Sequence, residues 1–170
     1  MFLIEPCCAP KHVSELVKRV GEGGTVLWHG YGDLSLSELL PAVLRRYAET
    51  EVTLVMPWLP DALAEIIAKW MRKQWARMDG KGSINVISHM TLIADIRESR
   101  SPLASQWLKE NPFGERLTLR SVQQNDTAIV LPGMAWYGPV NITYGAHFTA
   151  IVTKNASTIA GLREMYKGLR

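Results

Sequence analysis

The amino-acid sequence predicts an α/β domain in which a mixed β-sheet carries helices on both of its faces. In the first half, short apolar segments typical of buried strands alternate with longer segments whose apolar residues recur at helical spacing. In the second half, short apolar segments follow one another with short links, and such strands pair partly antiparallel. Parallel βαβ crossovers followed by antiparallel strands therefore build one mixed sheet.

Length and composition favour one folded domain spanning residues 1–170. A chain of 170 residues can bury a large core without metal or disulfide staples. Its 47% hydrophobic and 21% charged residues exclude a mainly disordered chain. The net charge of +3 permits contact with nucleic acid but does not require it. Within this domain we expect a strand and helix extension over residues 1–24 and a core over residues 25–170.

The elements of the first half follow from apolar spacing and from turn residues. Strands are expected where β-branched and apolar residues cluster, and helices where apolar residues recur every three or four positions. Glycines and prolines mark the ends. The predicted strands are Phe2–Ile4 (ended by Pro6), 25–29, 51–56 and 84–87, and the predicted helices are 11–20, Ser35 or Ser37 to Glu49, and 61–78 capped by Asp61.

In the second half the apolar segments are shorter and closer together. Only two of them have helical spacing, and Asn111 with Pro112 ends the first of these. The predicted helices are 102–109 and 157–167, and the predicted strands are 117–119, 128–131, 142–144 and 148–152.

The two cysteines, Cys7 and Cys8, are adjacent in sequence. Neighbouring cysteines rarely form a disulfide, and two thiols are too few for a closed zinc site. We therefore expect reduced thiols in a cytoplasmic protein without a cofactor or metal. The first residues do not resemble a signal peptide, and no segment has the length of an apolar membrane span.

Four histidines are candidates for chemistry, and their spacing matches no metal motif. Each could equally be a residue that only hydrogen-bonds its own loop. His147 immediately precedes a predicted strand, which favours a position facing a pocket. The other three are His12, His29 and His89.

The predicted helix over residues 61–78 carries cations interleaved with tryptophans. Spacings of three and four place its cations largely along one side. They could hold nucleic-acid phosphates while Trp75 stacks on a base. The alternative is an ordinary solvated face, with Trp70 packed inward. The cations are Lys69, Arg72, Lys73 and Arg77.

The segment SVQQNDTAIVLPGMAWYGPVNIT, residues 121–143, combines a polar entrance, an apolar strand and a glycine–asparagine turn. This order resembles the phospholipase D superfamily, whose half-domain carries His-x-Lys-x-x-x-x-Asp and then Gly-Ser-x-Asn-Leu-Thr. The resemblance covers residues 25–170. It places the family's histidine on Asn125, its lysine on Thr127 and its aspartate on Pro132.

The second part of the family motif falls on Gly138, Pro139 and Asn141, with Thr143 at the usual threonine. The resemblance implies loss of phosphodiester hydrolysis, because neither a nucleophilic histidine nor a charge-stabilising lysine is present. It also implies a homodimer, since single-motif members build one site from two copies. A polar pocket that holds phosphate could survive, although Asn125 and Asp126 could equally form only a turn. Its candidate residues are Asn125, Thr127, Gly138, Asn141, Thr143 and His147.

The leading hypothesis is a catalytically degenerate phospholipase D-like domain that acts as a binding or assembly module, with nucleic acid as the favoured ligand. A role in protein–protein contact, through a tryptophan-rich surface around Trp58 and Trp136, is the first alternative. The second is an active phosphodiesterase or other hydrolase with a rearranged site. It would use His147, His29 or His89 with Asp33 or Asp95 as the orienting carboxylate.

Overall fold

A computed structural model describes residues 4–7, 20–30, 40, 44, 51–77, 82–88, 102–122, 126–138 and 148–169. These residues form strands, helices and one short 3-10 helix over Gly114–Arg116. The strands are β1 (Ile4–Cys7), β2 (Thr25–Gly30), β3 (Glu51–Met56), β4 (Ser83–Ser88), β5 (Leu117–Ser121), β6 (Ala128–Val130), β7 (Ala135–Tyr137) and β8 (Phe148–Thr153), and the helices are α1 (Asp61–Arg77), α2 (Pro102–Glu110) and α3 (Ala156–Gly168).

The eight strands form one mixed sheet in the order β1-β2-β8-β7-β6-β3-β4-β5. β3, β4 and β5 are parallel neighbours, and α1 and α2 connect them in sequence. β6, β7 and β8 pair antiparallel with one another and join the parallel strands to β2. The predicted fold class, parallel crossovers followed by antiparallel strands, is therefore confirmed.

Strand β3 shows how the sequence covers both faces of the sheet. Its side chains alternate, so Leu54 lies in one apolar cluster and Val55 in another. We call the side of Leu54 the first face and the side of Val55 the second face. Helix α1 packs on the first face through Leu63, Ile67 and Met71, and α3 packs on the second through Ile159 and Tyr166.

The helix ends are fixed by side chains, in one case differently from the prediction. Asn155 caps α3, since its Oδ1 accepts a hydrogen bond from the Thr158 amide at 3.0 Å. Asp61, predicted to cap α1, is instead the first residue of that helix. Its Oδ1 accepts from the Leu103 amide at 3.1 Å, so it caps the first turn of α2.

Some other elements differ from the prediction or lie outside the described residues. β1 extends through Pro6 to Cys7, because an edge strand tolerates a residue without an amide proton. β7 was not predicted, since its three residues AWY are too short to form a pattern. The predicted strand 142–144 and most of the helix over 11–20 lie outside the described residues. From the helix predicted to end at Glu49, Leu40 and Leu44 are described, both helical and buried.

The carboxyl ends of β3 and β4 lie at one edge of the sheet, which we call the carboxyl edge. Since Val55 pairs with Ala128, the start of β6 lies at this edge as well. Four residues separate the end of β3 from helix α1, which returns toward the opposite edge before β4. Thr127, which precedes β6, and Gly138, which follows β7, are therefore positioned at the carboxyl edge.

Candidate functional site

The structure brings together two candidate residues from the family-like motif. Ala128 in β6 pairs with Tyr137 in β7, so Thr127 and Gly138 are adjacent at the carboxyl edge. The Gly138 amide donates to the Thr127 carbonyl at 3.1 Å. Gly138 has a backbone φ angle of 133°, which residues other than glycine rarely adopt. The glycine of the motif is thus required by the turn that leaves β7.

Thr127 occupies the position at which the resemblance places the family's lysine. It is 4% exposed and lies on the first face, since Ile129, two residues later, belongs to the first-face cluster. An uncharged hydroxyl can donate one hydrogen bond to a phosphate oxygen, but it supplies no positive charge. This edge of β6 therefore offers polar binding and not the charge stabilisation of a lysine.

Ser88, the last residue of β4, is a buried polar residue that the sequence analysis did not select. Ser88 pairs with Met56, and the register between β3 and β6 places Thr127 opposite Met56. Ser88 and Thr127 therefore lie on the first face, two strands and about 10 Å apart. Ser88 is fully buried, and its Oγ has no hydrogen-bond partner among the described residues. Its place at the end of a buried strand is the signal that could have identified it.

The remaining motif positions are distributed as follows. Pro132, at the position of the family aspartate, is exposed in the β6–β7 turn, where the Leu131 amide donates to the Met134 carbonyl at 2.8 Å. That turn is at the end of the hairpin opposite Thr127 and Gly138. The candidates Asn125, Asn141, Thr143 and His147 lie outside the described residues, as do His12, His89, Asp33 and Asp95, and for His29 only the backbone in β2 is described.

Helix α1 presents a basic face to solvent. Lys69, Arg72 and Lys73 are exposed, and Glu65 is exposed one turn before them. Trp70 is 8% exposed, and its Nε1 donates to the Leu44 carbonyl at 3.3 Å. The inward packing predicted for Trp70 is thus confirmed. Arg77 ends the helix, and the side chains of Arg77 and Trp75 are outside the described part of the chain.

The basic face and the motif residues occupy different parts of the domain. The 17 residues of α1 span about 25 Å from the carboxyl edge toward the opposite edge. Lys73, near the end of α1, is therefore far from Thr127. A ligand that contacts both must be long, as a nucleic-acid strand is.

The two tryptophans that were expected to form one surface differ in their exposure to solvent. Trp58 follows β3 at the carboxyl edge and is 48% exposed. Trp136 in β7 is 1% exposed and belongs to the first-face cluster, because alternation along this short strand turns it inward. The predicted joint surface of Trp58 and Trp136 is therefore wrong.

Tyr166 of α3 lies in the second-face cluster and is 3% exposed. Burial raises the pKa of its hydroxyl from 10.0 to about 12, and the nearby Asp126 carboxylate and Tyr137 add to the rise. Ionisation of Tyr166 is thus opposed by the fold.

The raised pKa of Tyr166 predicts loss of stability in strong alkali. Between pH 10 and 12 the folded chain keeps a proton that the unfolded chain has released, so the free energy of unfolding falls with rising pH. The loss approaches about 2 kcal/mol at the upper end and is absent below pH 10. Urea unfolding of Tyr166→Phe should show a smaller fall over this window than the wild type. If the free energy of unfolding falls equally with pH in the two proteins, Tyr166 is not the group responsible.

No group of three or more His, Cys, Asp or Glu side chains able to hold a metal ion occurs within the described ranges. In the same part of the chain, no helix has the length and apolar character needed to cross a bilayer.

Comparison with known proteins shows the fold. No family model matches the sequence, and no curated protein matches it. Among solved structures, polyphosphate kinase from Porphyromonas gingivalis matches with a TM-score of 0.61 and 11% identity, over 96% of this chain and 26% of that one. NucT from Helicobacter pylori matches with a TM-score of 0.51 and 11% identity, over 76% of this chain and 86% of that one.

The chain has a phospholipase D-like α/β fold. TrmBL2, an archaeal chromatin protein with a novel mode of DNA binding, also matches, with a TM-score of 0.51 and 15% identity over 92% of this chain. This chain spans 55% of the length of TrmBL2 and 26% of the kinase. At sequence identities of 11–15%, structural similarity shows only the fold. Binding and catalysis have to be argued from the residues of this chain.

Proposed function

We propose that this chain is a catalytically degenerate phospholipase D-like module that binds nucleic acid. The observation that carries the proposal is Thr127, a buried and uncharged residue where the resembling family has a lysine. Hydrolysis of a phosphodiester needs a nucleophile and positive charge on the phosphoryl oxygens. The motif positions of this chain, Asn125 and Thr127, supply neither.

Two observations support nucleic acid as the ligand class. The exposed face of α1 carries Lys69, Arg72 and Lys73 against the single acid Glu65, a net charge that attracts phosphates. TrmBL2, one of the structures that share the fold, is described as binding DNA. The interaction would be directed at the backbone, because cations on a helix surface contact phosphates without selecting a base.

We also propose that the module is a homodimer. The support is the resemblance to single-motif members, in which two copies form one site. A monomeric mass by light scattering at micromolar concentration would remove this part of the proposal.

Incubation of the purified chain with end-labelled DNA and a generic phosphodiester tests the loss of catalysis. We expect intact substrate, because Asn125 and Thr127 cannot replace the family's histidine and lysine. Cleavage that His147→Ala abolishes would sink the proposal and establish the rearranged hydrolase instead. Cleavage that His147→Ala leaves unchanged is tested with His29→Ala, with His89→Ala and with independently purified protein. Loss of activity in either variant also sinks the proposal, whereas activity that disappears on repurification belongs to a contaminating nuclease.

A further inference from the structure

A pocket of about 210 Å³ lies on the second face of the sheet. It is bounded by β3, β4 and β5 and by the last turns of α3. Thr127 and the basic side of α1 are on the first face, so the pocket is separate from both. Its lining includes three cations, Arg120, Arg163 and Lys167, and one carboxylate, Glu51.

Arg120 is held rigidly on the floor of the pocket. Its Nη1 donates to the Tyr166 carbonyl at 3.2 Å, and its Nη2 donates to the carbonyls of Lys167, at 3.4 Å, and Leu169. These bonds use three of the five N–H groups of a guanidinium. Arg120 thereby fixes the end of α3 and still brings positive charge to the pocket.

Arg163 is the unpartnered cation of the pocket. It is half-buried, and no described residue forms a hydrogen bond or an ion pair with it. Lys167 lies one helical turn later on the same side of α3, at the rim, where its Nζ is 3.3 Å from Glu164 Oε1. The N–H donors of Arg163 are thus available to an anion that enters the pocket.

The carboxylate of Glu51 narrows the class of ligand. Its Oε1 accepts a hydrogen bond from Asn85 Nδ2 at 2.9 Å, and the Thr53 hydroxyl lies in the same lining. Beside a carboxylate a simple anion is repelled, whereas a ligand with hydroxyl donors is favoured. The lining therefore suits a molecule with an anionic group at one end and hydroxyls at the other.

The size of the pocket limits the size of the ligand that it can hold. A volume of 210 Å³ is about seven times the share of one water in the liquid, and it lies below the ~300 Å³ at which drug-sized sites begin. A phosphate joined to a pentose fills such a space, whereas a whole nucleotide would extend out of it. We propose that this pocket binds a small phosphate monoester that carries hydroxyl groups, of the size of a pentose phosphate.

Isothermal titration calorimetry of the full chain tests the proposal, with ribose 5-phosphate, inorganic phosphate and ribose as separate probes. We expect ribose 5-phosphate to bind at least tenfold more tightly than phosphate, and ribose not to bind. Arg163→Gln should weaken ribose 5-phosphate at least tenfold, because it removes the unpartnered cation. Lys154→Gln also removes one positive charge, but Lys154 lies after β8 beside Glu22 and outside the pocket, so this variant should leave the affinity for ribose 5-phosphate within twofold of the wild type.

A second variant tests whether Glu51 recognises the hydroxyl groups of the ligand. Glu51→Gln should reduce the preference for ribose 5-phosphate over inorganic phosphate while phosphate itself binds as well or better. If Arg163→Gln does not fold, as judged by circular dichroism, the exposed Lys167→Gln takes its place with a smaller expected loss. No binding of ribose 5-phosphate, equal affinity for phosphate, or indifference to both cation variants would each overturn the proposal.

Discussion

Replacing Lys69 and Lys73 together with glutamate is expected to weaken the binding of DNA by about a hundredfold at low salt. Both side chains are exposed on one side of α1, one helical turn apart, so two phosphate contacts become two repulsive charges. The loss should shrink as salt rises, because exposed charges are screened. Fluorescence anisotropy of a labelled duplex, titrated at several salt concentrations, measures the effect.

The matched control removes two cations that lie outside α1. Lys154→Glu with Lys167→Glu changes the net charge of the chain by the same amount and leaves α1 unaltered. We expect this pair to reduce affinity far less, through the general change of net charge alone. Equal losses for the two pairs would show that the basic face of α1 is not the contact surface.

Leu54→Ala is expected to lower the free energy of unfolding by about 3–4 kcal/mol. Leu54 is fully buried in β3, near the centre of the sheet, and belongs to the cluster that packs α1 against the first face. Removing its branched side chain costs transfer free energy and leaves a cavity that strands fixed on both sides cannot close. Urea unfolding followed by circular dichroism gives the value.

Glu65→Ala is the control for Leu54→Ala. Glu65 is exposed on α1, and surface substitutions usually change stability by less than about 0.5 kcal/mol. A loss below about 1 kcal/mol for Leu54→Ala would mean that β3 is not the centre of the core.

The sequence predicted the fold well where one side of an element is buried along its length. The strand over 51–56 and the helix from Asp61 match the structure closely, because β-branched alternation and helical apolar spacing persist over whole elements. The helix at the end of the chain was predicted one residue short at each end. Such differences are expected where a cap residue decides the boundary.

The rest could not be predicted because it depends on contacts between distant residues. Three residues form β7, too few to show a period, and its strand character comes from pairing on both sides. The end of a buried strand could have drawn attention to Ser88, but its complete burial depends on the elements packed around β4. In the same way, nothing local indicates that Arg120 of β5 meets the end of α3 or that Glu51 faces Arg163 across a pocket.

Of the candidate site, the sequence analysis named Thr127 and Gly138 among the residues of one pocket, and the structure places them side by side because β6 and β7 form a hairpin that was not predicted. The cations Lys69, Arg72 and Lys73 share one exposed side, as their spacing predicted. The contribution of Asn125, Asn141, Thr143, His147 and Arg77 to a ligand site stays a prediction.

The salt dependence of DNA binding by the unmodified chain tests the central claim most directly. If Lys69, Arg72 and Lys73 each neutralise a phosphate, the logarithm of the association constant should fall against the logarithm of salt concentration with a slope of about −2 to −3. The DNA should be recovered intact after the titration. Absence of binding at low salt, or binding whose affinity does not change with salt, would contradict a module that holds nucleic acid by its phosphates.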